Sequence, residues 1–360
     1  MPKADNITYF KNVQALRAIA ALLVLAFHTY AVEGKYFGSH AVPEVLGAFG
    51  TCGVDLFFVI SGFVMTTVSR GQFGSRESAM VFLKRRVLRI YPIYWFYSLI
   101  VLAVLVVMPQ WVNASNGHHA DVLRSFLLLP SEALPLILQG WTLKYEMFFY
   151  VAFAAILGFV AERLLPVALV VWGVVTFGLA HWFGSEAATS PSLALVSDPL
   201  VLEFIAGCFC AIVWSVLRGP LPTVFCLLGI GGFAASFVLG QRVGLDAVVQ
   251  WRALYFGVPA FLMLLGVVSL EGSTGVASPR PLCDLGDASY SLYLSHVLVI
   301  SAVGRVYARF LLPKLGVPLG ALLCMSIAIV VGYLSYRLVE RPLNELLKRA
   351  LFRSNRALAA

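Results

Sequence analysis

Charge is scarce in this sequence. Asp, Glu, Lys and Arg make up 12% of its 360 residues, where soluble domains average about 25%. Apolar residues fill the deficit, at 60% of the chain and a mean hydropathy of +0.87. Such a composition cannot cover a water-facing surface and excludes a soluble enzyme or binding module. No cleavage-site pattern follows the first apolar run, so that run is expected to stay as a first membrane helix. Linkers, low-complexity blocks and solenoid-period repeats are also missing, which points to one membrane domain. The six cysteines (Cys52, Cys208, Cys210, Cys226, Cys283 and Cys324) show no CxxC or His-interleaved spacing. Neither a metal site nor a disulfide is expected from them, and CFC at 208–210 reads as small apolar packing.

What the chain does have is apolar runs of about 20 residues, each able to cross a hydrocarbon core of roughly 30 Å. They predict an all-α polytopic membrane protein with about ten transmembrane helices, at 13–32, 47–67, 87–108, 137–160, 165–183, 198–217, 221–239, 250–270, 288–310 and 317–339. The connections are short, apart from the segment between spans two and three and loops near 109–136 and 271–287. An even number of spans puts both termini on one side, and Lys and Arg are concentrated in the loops of that side. Both termini are therefore expected to be cytoplasmic, and the net charge of +8 needs no nucleic-acid partner. Residues 1–345 read as the membrane domain. Residues 346–360 read as a short basic tail, part of an amphipathic helix lying on anionic membrane lipids. Asn6-Ile7-Thr8 and Asn113-Ala114-Ser115 match the glycosylation pattern but carry little weight, the first being expected in the cytoplasm.

An ionisable residue within a span usually faces the bundle interior and marks function. The candidates are Arg17, His28, Asp55, Lys144, Glu146 and His296. Arg17 and His28 are eleven residues apart in QALRAIAALLVLAFHTY. At about 100° per residue they share one helix face, separated by about 17 Å along the axis. Topology puts Asp55, Glu146 and His296 at depths comparable with His28. In SYSLYLSH, Ser289, Tyr293 and His296 form one stripe, for which a packing role by buried hydrogen bonds is the plainer reading.

A second constellation is basic. FLKRRVLRIYP places Arg86 and Arg89 one turn apart beside Lys84 and Arg85. Two such guanidiniums can clamp a phosphate, although a topology signal with lipid-headgroup contact explains them too. Arginines at one rim and a deep imidazole suit a donor phosphorylated at one end and reactive at the other, which is the shape of acyl-coenzyme A. An imidazole is the usual acceptor of a hydroxyl proton, and Glu146 or Asp55 are candidates to orient it. The chemistry expected is acyl transfer to an alcohol.

These residues stand in motifs that resemble the membrane-bound acyltransferase-3 family. The motifs are the Arg17-x10-His28 pattern, GVDLFFVISGF at 53–63, RVLR at 86–89 followed by IYPIYW, GWTLKYEMFFY at 140–150, GDASYSLYLSH at 286–296 and VERPL at 339–343. The match runs in order along nearly the whole chain and looks most like the branch that O-acetylates bacterial exopolysaccharides of the succinoglycan type. The resemblance implies acetyl-CoA as donor substrate without a metal, an essential His28, and Arg17, Arg86 and Arg89 in donor handling. Ser61 is carried over to the donor site, and Glu146 and Asp55 to catalysis. Trp141, Tyr293 and His296 stand in the matching motifs as further site residues. It also implies a polysaccharide or lipid-linked sugar acceptor, the bacterial inner membrane, and other polysaccharide-synthesis proteins as partners. Two departures stand out. Lys144 occupies a place where a neutral polar residue is expected. Some relatives add a soluble periplasmic domain, whereas here the membrane domain is expected to handle the acceptor itself.

Two other classes compete with this reading. A transporter or polysaccharide exporter with a buried proton relay would show paired Gly/Pro-broken helices, and no such pairing is evident. A non-catalytic scaffold would use the buried His and acids only for packing.

Overall fold

The computed structural model describes residues 9–112, 121–187 and 190–357. Asn6 and Asn113 of the glycosylation patterns, and residues 358–360 of the tail, lie outside the described residues. The described residues form no strand. The first helices are α1 (Lys11–Tyr36), α2 (Glu44–Phe49), α3 (Cys52–Val68), α4 (Arg76–Val107), α5 (Val122–Leu127), α6 (Gly140–Phe159), α7 (Leu165–Ala187) and α8 (Pro191–Ser197). Then come α9 (Leu200–Val213), α10 (Leu221–Val243), α11 (Leu245–Gln250), α12 (Val258–Thr274), α13 (Arg280–Asp287), α14 (Ser289–Phe310), α15 (Leu312–Ser335) and α16 (Arg341–Ala357). Nine helical segments among the described residues are long and apolar enough to cross a membrane, and α3, apolar and 17 residues long, falls just short. Together they correspond to the ten expected spans.

Several boundaries differ from the sequence expectation, each for a local reason. Helix α4 begins at Arg76, where the Ser75 side chain accepts the Ser78 N–H at 3.2 Å, a standard N-cap. The basic run 84–89 therefore lies inside a helix, not in a loop at its mouth, because apolar windows register only the lipid-crossing part. The expected second span, 47–67, is split at Gly50-Thr51. A Cβ on Gly50 would stand 2.4 Å from the Leu23 carbonyl oxygen, so α2 can turn into α3 against α1 only with glycine there. The expected loop at 271–287 contains α13. Span ten does not stop at 339: it runs through a π-helical turn, Tyr336–Glu340, directly into α16.

Helix α1 is central, packing against α3, α12, α13, α14 and α15. Small residues allow the closest approaches, as expected where lipid removes any hydrophobic drive between helices. A Cβ on Gly286 of α13 would lie 1.9 Å from the Gln14 carbonyl oxygen of α1, and one on Gly207 of α9 would lie 1.9 Å from that of Val59 in α3. Helices α7 and α10 instead present Val170, Val174, Phe177, Leu227 and Ile230 outward, as a lipid-facing rim does. The interior is left to α1, α3, α4, α6, α9 and α14, which carry the candidate residues.

Candidate active site

Two cavities lie along the face of α1 that carries Arg17 and His28. Arg17 lines the first, of about 310 Å³, and His28 lines the second, of about 260 Å³. Val54 and Tyr293 line both. The eleven-residue spacing thus places the two residues on one face at two levels, facing different chambers that share a wall.

The first cavity is cationic. Arg86 and Arg89, one turn apart on α4, line it together with Arg17, Ser61, Glu146 and Tyr150. Among the described residues none of these three arginines makes a salt bridge; Arg17 donates only to the Gln14 side-chain oxygen, at 3.3 Å. Arg86 lies over the Phe82 ring, its guanidinium 5.3 Å from the centroid, and its Nε is buried without a partner. The buried hydroxyls of Ser61 and Ser289, which also line this cavity, have no partner among the described residues either. Glu146 accepts a short hydrogen bond from the Tyr150 hydroxyl. Glu340 is 2% exposed and accepts from the Ser291 hydroxyl at 2.6 Å. Outside the spans, Asp287 accepts from the Tyr9 hydroxyl at 3.5 Å. Burial raises the Asp287 carboxyl above its ordinary pKa.

One imidazole, His28, and an arginine paired with Asp55 line the second cavity, and a second imidazole, His296, packs behind His28. His28 Nδ1 lies 2.9 Å from the Val24 carbonyl oxygen and 3.3 Å from His296 Nε2. His296 Nδ1 lies 2.7 Å from the Tyr293 carbonyl oxygen. Carbonyls only accept, so Nδ1 carries the hydrogen in both rings, and in the neutral pair His296 Nε2 accepts from His28. The tautomer is thereby set: His28 Nε2 keeps its lone pair and has no protein partner among the described residues. Tyr293 is held between the cavities by Thr142. The Thr142 hydroxyl donates to the Gln139 carbonyl at 2.9 Å and accepts from the Tyr293 hydroxyl at 2.8 Å.

Neither carboxylate expected to orient His28 does so. Asp55, fully buried, accepts from Arg252 Nε and Nη2, each at 2.8 Å, because a buried carboxylate takes the nearest bidentate cation. Glu146 belongs to the arginine cavity, not to the level of His28. The other expected residues are found at the cavities, with Ser61 in the first, Trp141 in the second, Tyr293 in both and His296 against His28. Lys144 lines neither cavity. Sequence reasoning missed Arg252, which it left at the very end of a span, and Glu340, which it left just beyond the last span. A helix continuing through π-helical turns at Ala253–Gly257 and Tyr336–Glu340 brings both inside, and hydropathy alone carries no trace of such turns.

A membrane bundle with two adjoining chambers, one lined by arginines and the other by a histidine, can bring an anionic donor and a second substrate together, as a membrane-embedded transferase must. The chain matches the acyltransferase-3 family model, described as an acyltransferase domain, over residues 10–337; it belongs to that family and is a multi-pass membrane O-acyltransferase. It is 31% identical over 344 residues to the exopolysaccharide production protein ExoZ of Rhizobium meliloti (strain 1021), covering 89% of this chain and 94% of that one. It is 28% identical over 378 residues to the acyltransferase MdmB of Streptomyces mycarofaciens, covering 94% and 92%. With the O-acetyltransferase OatA of Staphylococcus aureus (strain NCTC 8325 / PS 47) it shares 23% identity over 369 residues, 94% of this chain and 57% of that protein. No solved structure matches the chain.

Proposed function

We propose that this enzyme moves an acyl group, most simply acetyl, from acyl-coenzyme A in the first cavity to a sugar hydroxyl in the second. The acceptor is an exopolysaccharide or its lipid-linked precursor, and the site of action is the bacterial inner membrane. One observation carries the reading: among the described residues, three half-buried arginines without salt bridges line one cavity, a histidine whose Nε2 has no protein partner lines the other, and the two cavities share Val54 and Tyr293. Cations inside a membrane bundle are costly unless paired, so the first cavity suits an anionic donor. The names of ExoZ and OatA support a polysaccharide acceptor and an acetyl group.

Arg17, Arg86 and Arg89 hold the donor phosphates, and Ser61 and Ser289 offer hydroxyls to the pantetheine amides. His28 Nε2 takes the proton of the acceptor hydroxyl as its oxygen attacks the thioester carbonyl. The Val24 carbonyl and His296 Nε2 stabilise the imidazolium through Nδ1–H. Collapse of the tetrahedral intermediate expels the coenzyme A thiolate, which takes the proton back from His28. Glu146 tempers the arginine cavity, and Asp55 holds Arg252 in place. With both termini cytoplasmic, the first cavity faces the cytoplasmic acyl-CoA pool. Residues 346–360 lie as a basic tail on anionic lipid, and other polysaccharide-synthesis proteins supply the acceptor.

The test is base-labile acetyl released from surface polymer, compared between wild type and His28→Ala at equal membrane abundance. Unchanged acetylation ends the reading. An acyl-His28 adduct trapped by mass spectrometry replaces direct transfer with a covalent carrier.

A further inference from the structure

The second cavity holds more unmet hydrogen-bonding capacity than the reaction itself requires. Gln139, which lines it, is 2% exposed, and its Nε2 is buried with no partner among the described residues. The buried Thr51 hydroxyl on the same wall is equally unpartnered. Buried side-chain polar atoms are almost always paired, so two orphans lining one cavity beside a catalytic imidazole point to a ligand that completes them. Trp141 adds an aromatic wall.

The charge of this cavity is balanced from the protein side. Arg252 is its cation, and Asp55 engages both Nε and Nη2 of that guanidinium at 2.8 Å. That pairing leaves no unpaired cation, among the described residues, lining the cavity for an anionic ligand. The contrast with the arginine cavity is direct.

Building on the acyltransferase reading above, we infer that Gln139, Thr51 and Trp141 form a subsite beside His28 for one uncharged sugar ring. The ring stacks on Trp141, an oxygen accepts from the Gln139 amide, and a neighbouring hydroxyl pairs with Thr51. This orients the reacting hydroxyl toward His28 Nε2. A uronate ring is disfavoured, because Arg252, the one cation lining the cavity among the described residues, is already paired with Asp55. The volume, about 260 Å³, lies below the roughly 300–1,000 Å³ of drug-sized sites and accommodates a single ring.

The experiment uses the purified full-length chain in lipid nanodiscs with acetyl-CoA and two probes, methyl β-glucopyranoside and its uronate counterpart. Thiol release and product mass report transfer. The glucoside is expected to be used at least about tenfold more efficiently than the uronate, and Gln139→Ala to raise its KM by about tenfold or more. Gln139→Glu, nearly the same shape without the amide donor, does the same and covers the case in which the alanine variant fails to fold. The KM for acetyl-CoA stays near wild type in both. Equal use of the two glycosides, an unchanged glucoside KM in the variants, or a parallel rise in acetyl-CoA KM overturns the subsite. So does transfer to neither glycoside by an enzyme that still acetylates polymer. If the wild type acetylates no polymer either, the acyltransferase reading itself has failed.

Discussion

The two cavities that meet at Val54 and Tyr293 use arginine in opposite ways. Arg17, Arg86 and Arg89 face the first with no salt bridge among the described residues, whereas Arg252 faces the second with Asp55 bonded to it twice at 2.8 Å. A guanidinium whose carboxylate is built into the fold is architecture, since it ties the start of the helix containing α12 to α3. A cluster of guanidiniums without such partners is unfinished until an anion arrives. On the proposed mechanism, this difference is what separates donor handling from acceptor handling in one bundle.

The largest expected effect lies in the second cavity, at His28. His28→Ala removes the proposed general base and is expected to lower transfer by about 10²–10⁴-fold, measured as thiol released from acetyl-CoA in the presence of acceptor. Retention of near-normal turnover would show that the meeting of the chambers has no catalytic meaning.

Next comes the built-in pair. Breaking a buried ion pair costs about 3–5 kcal/mol, while replacing both partners by apolar groups is often neutral. Asp55→Asn and Arg252→Met are therefore each expected to lower thermal stability and membrane abundance strongly, and Asp55→Leu with Arg252→Met to recover much of the loss. If Asp55→Asn instead left stability intact and reduced only turnover, Asp55 would be a partner of the base after all. The unpaired arginines should behave in the contrary manner. Arg86→Ala with Arg89→Ala is expected to raise the acetyl-CoA KM by about 10–100-fold, the scale of one or two hydrogen bonds to a charged group, with little loss of stability. Added salt should reproduce part of that rise. A normal KM in the double variant would reduce the cluster to a topology signal.

These contrasts also mark what the sequence could and could not disclose. Apolar runs long enough to span a bilayer announced the bundle, and the eleven-residue spacing in α1 alone put Arg17 and His28 on one face. Helix ends were less legible wherever polar residues continue a helix, as in Arg76–Arg89 of α4 and Tyr336–Glu340 before α16. Pairing was not legible at all. Asp55 and Arg252 are 197 residues apart, and depth arithmetic placed Asp55 near His28 correctly enough to suggest the wrong partner. Depth is a property of one helix, but which faces converge is a property of the packed bundle. Gln139 and Thr51 were silent for the same reason, since an unpartnered atom is visible only once its neighbours are known.

The smallest effect is expected at His296, and it tests how the base is held. His296 Nε2 accepts from His28 Nδ1–H at 3.3 Å, a longer contact than the 2.9 Å to the Val24 carbonyl. His296→Phe removes the longer bond, keeps an aromatic ring in the space, and leaves the Val24 carbonyl to hold the tautomer. The Leu292 and Tyr293 carbonyls that His296 Nδ1 contacts lie on its own helix, so little else is left unpaired. One neutral hydrogen bond is worth about 0.5–1.5 kcal/mol, so kcat should fall by about 3–10-fold with the KM for acetyl-CoA unchanged. His296→Asn, placing a side-chain carbonyl acceptor near the same Nδ1–H, should return part of the rate. A loss as large as that of His28→Ala would mean that His296 handles the proton or the substrate itself, and the division into one free imidazole and one supporting imidazole would fall.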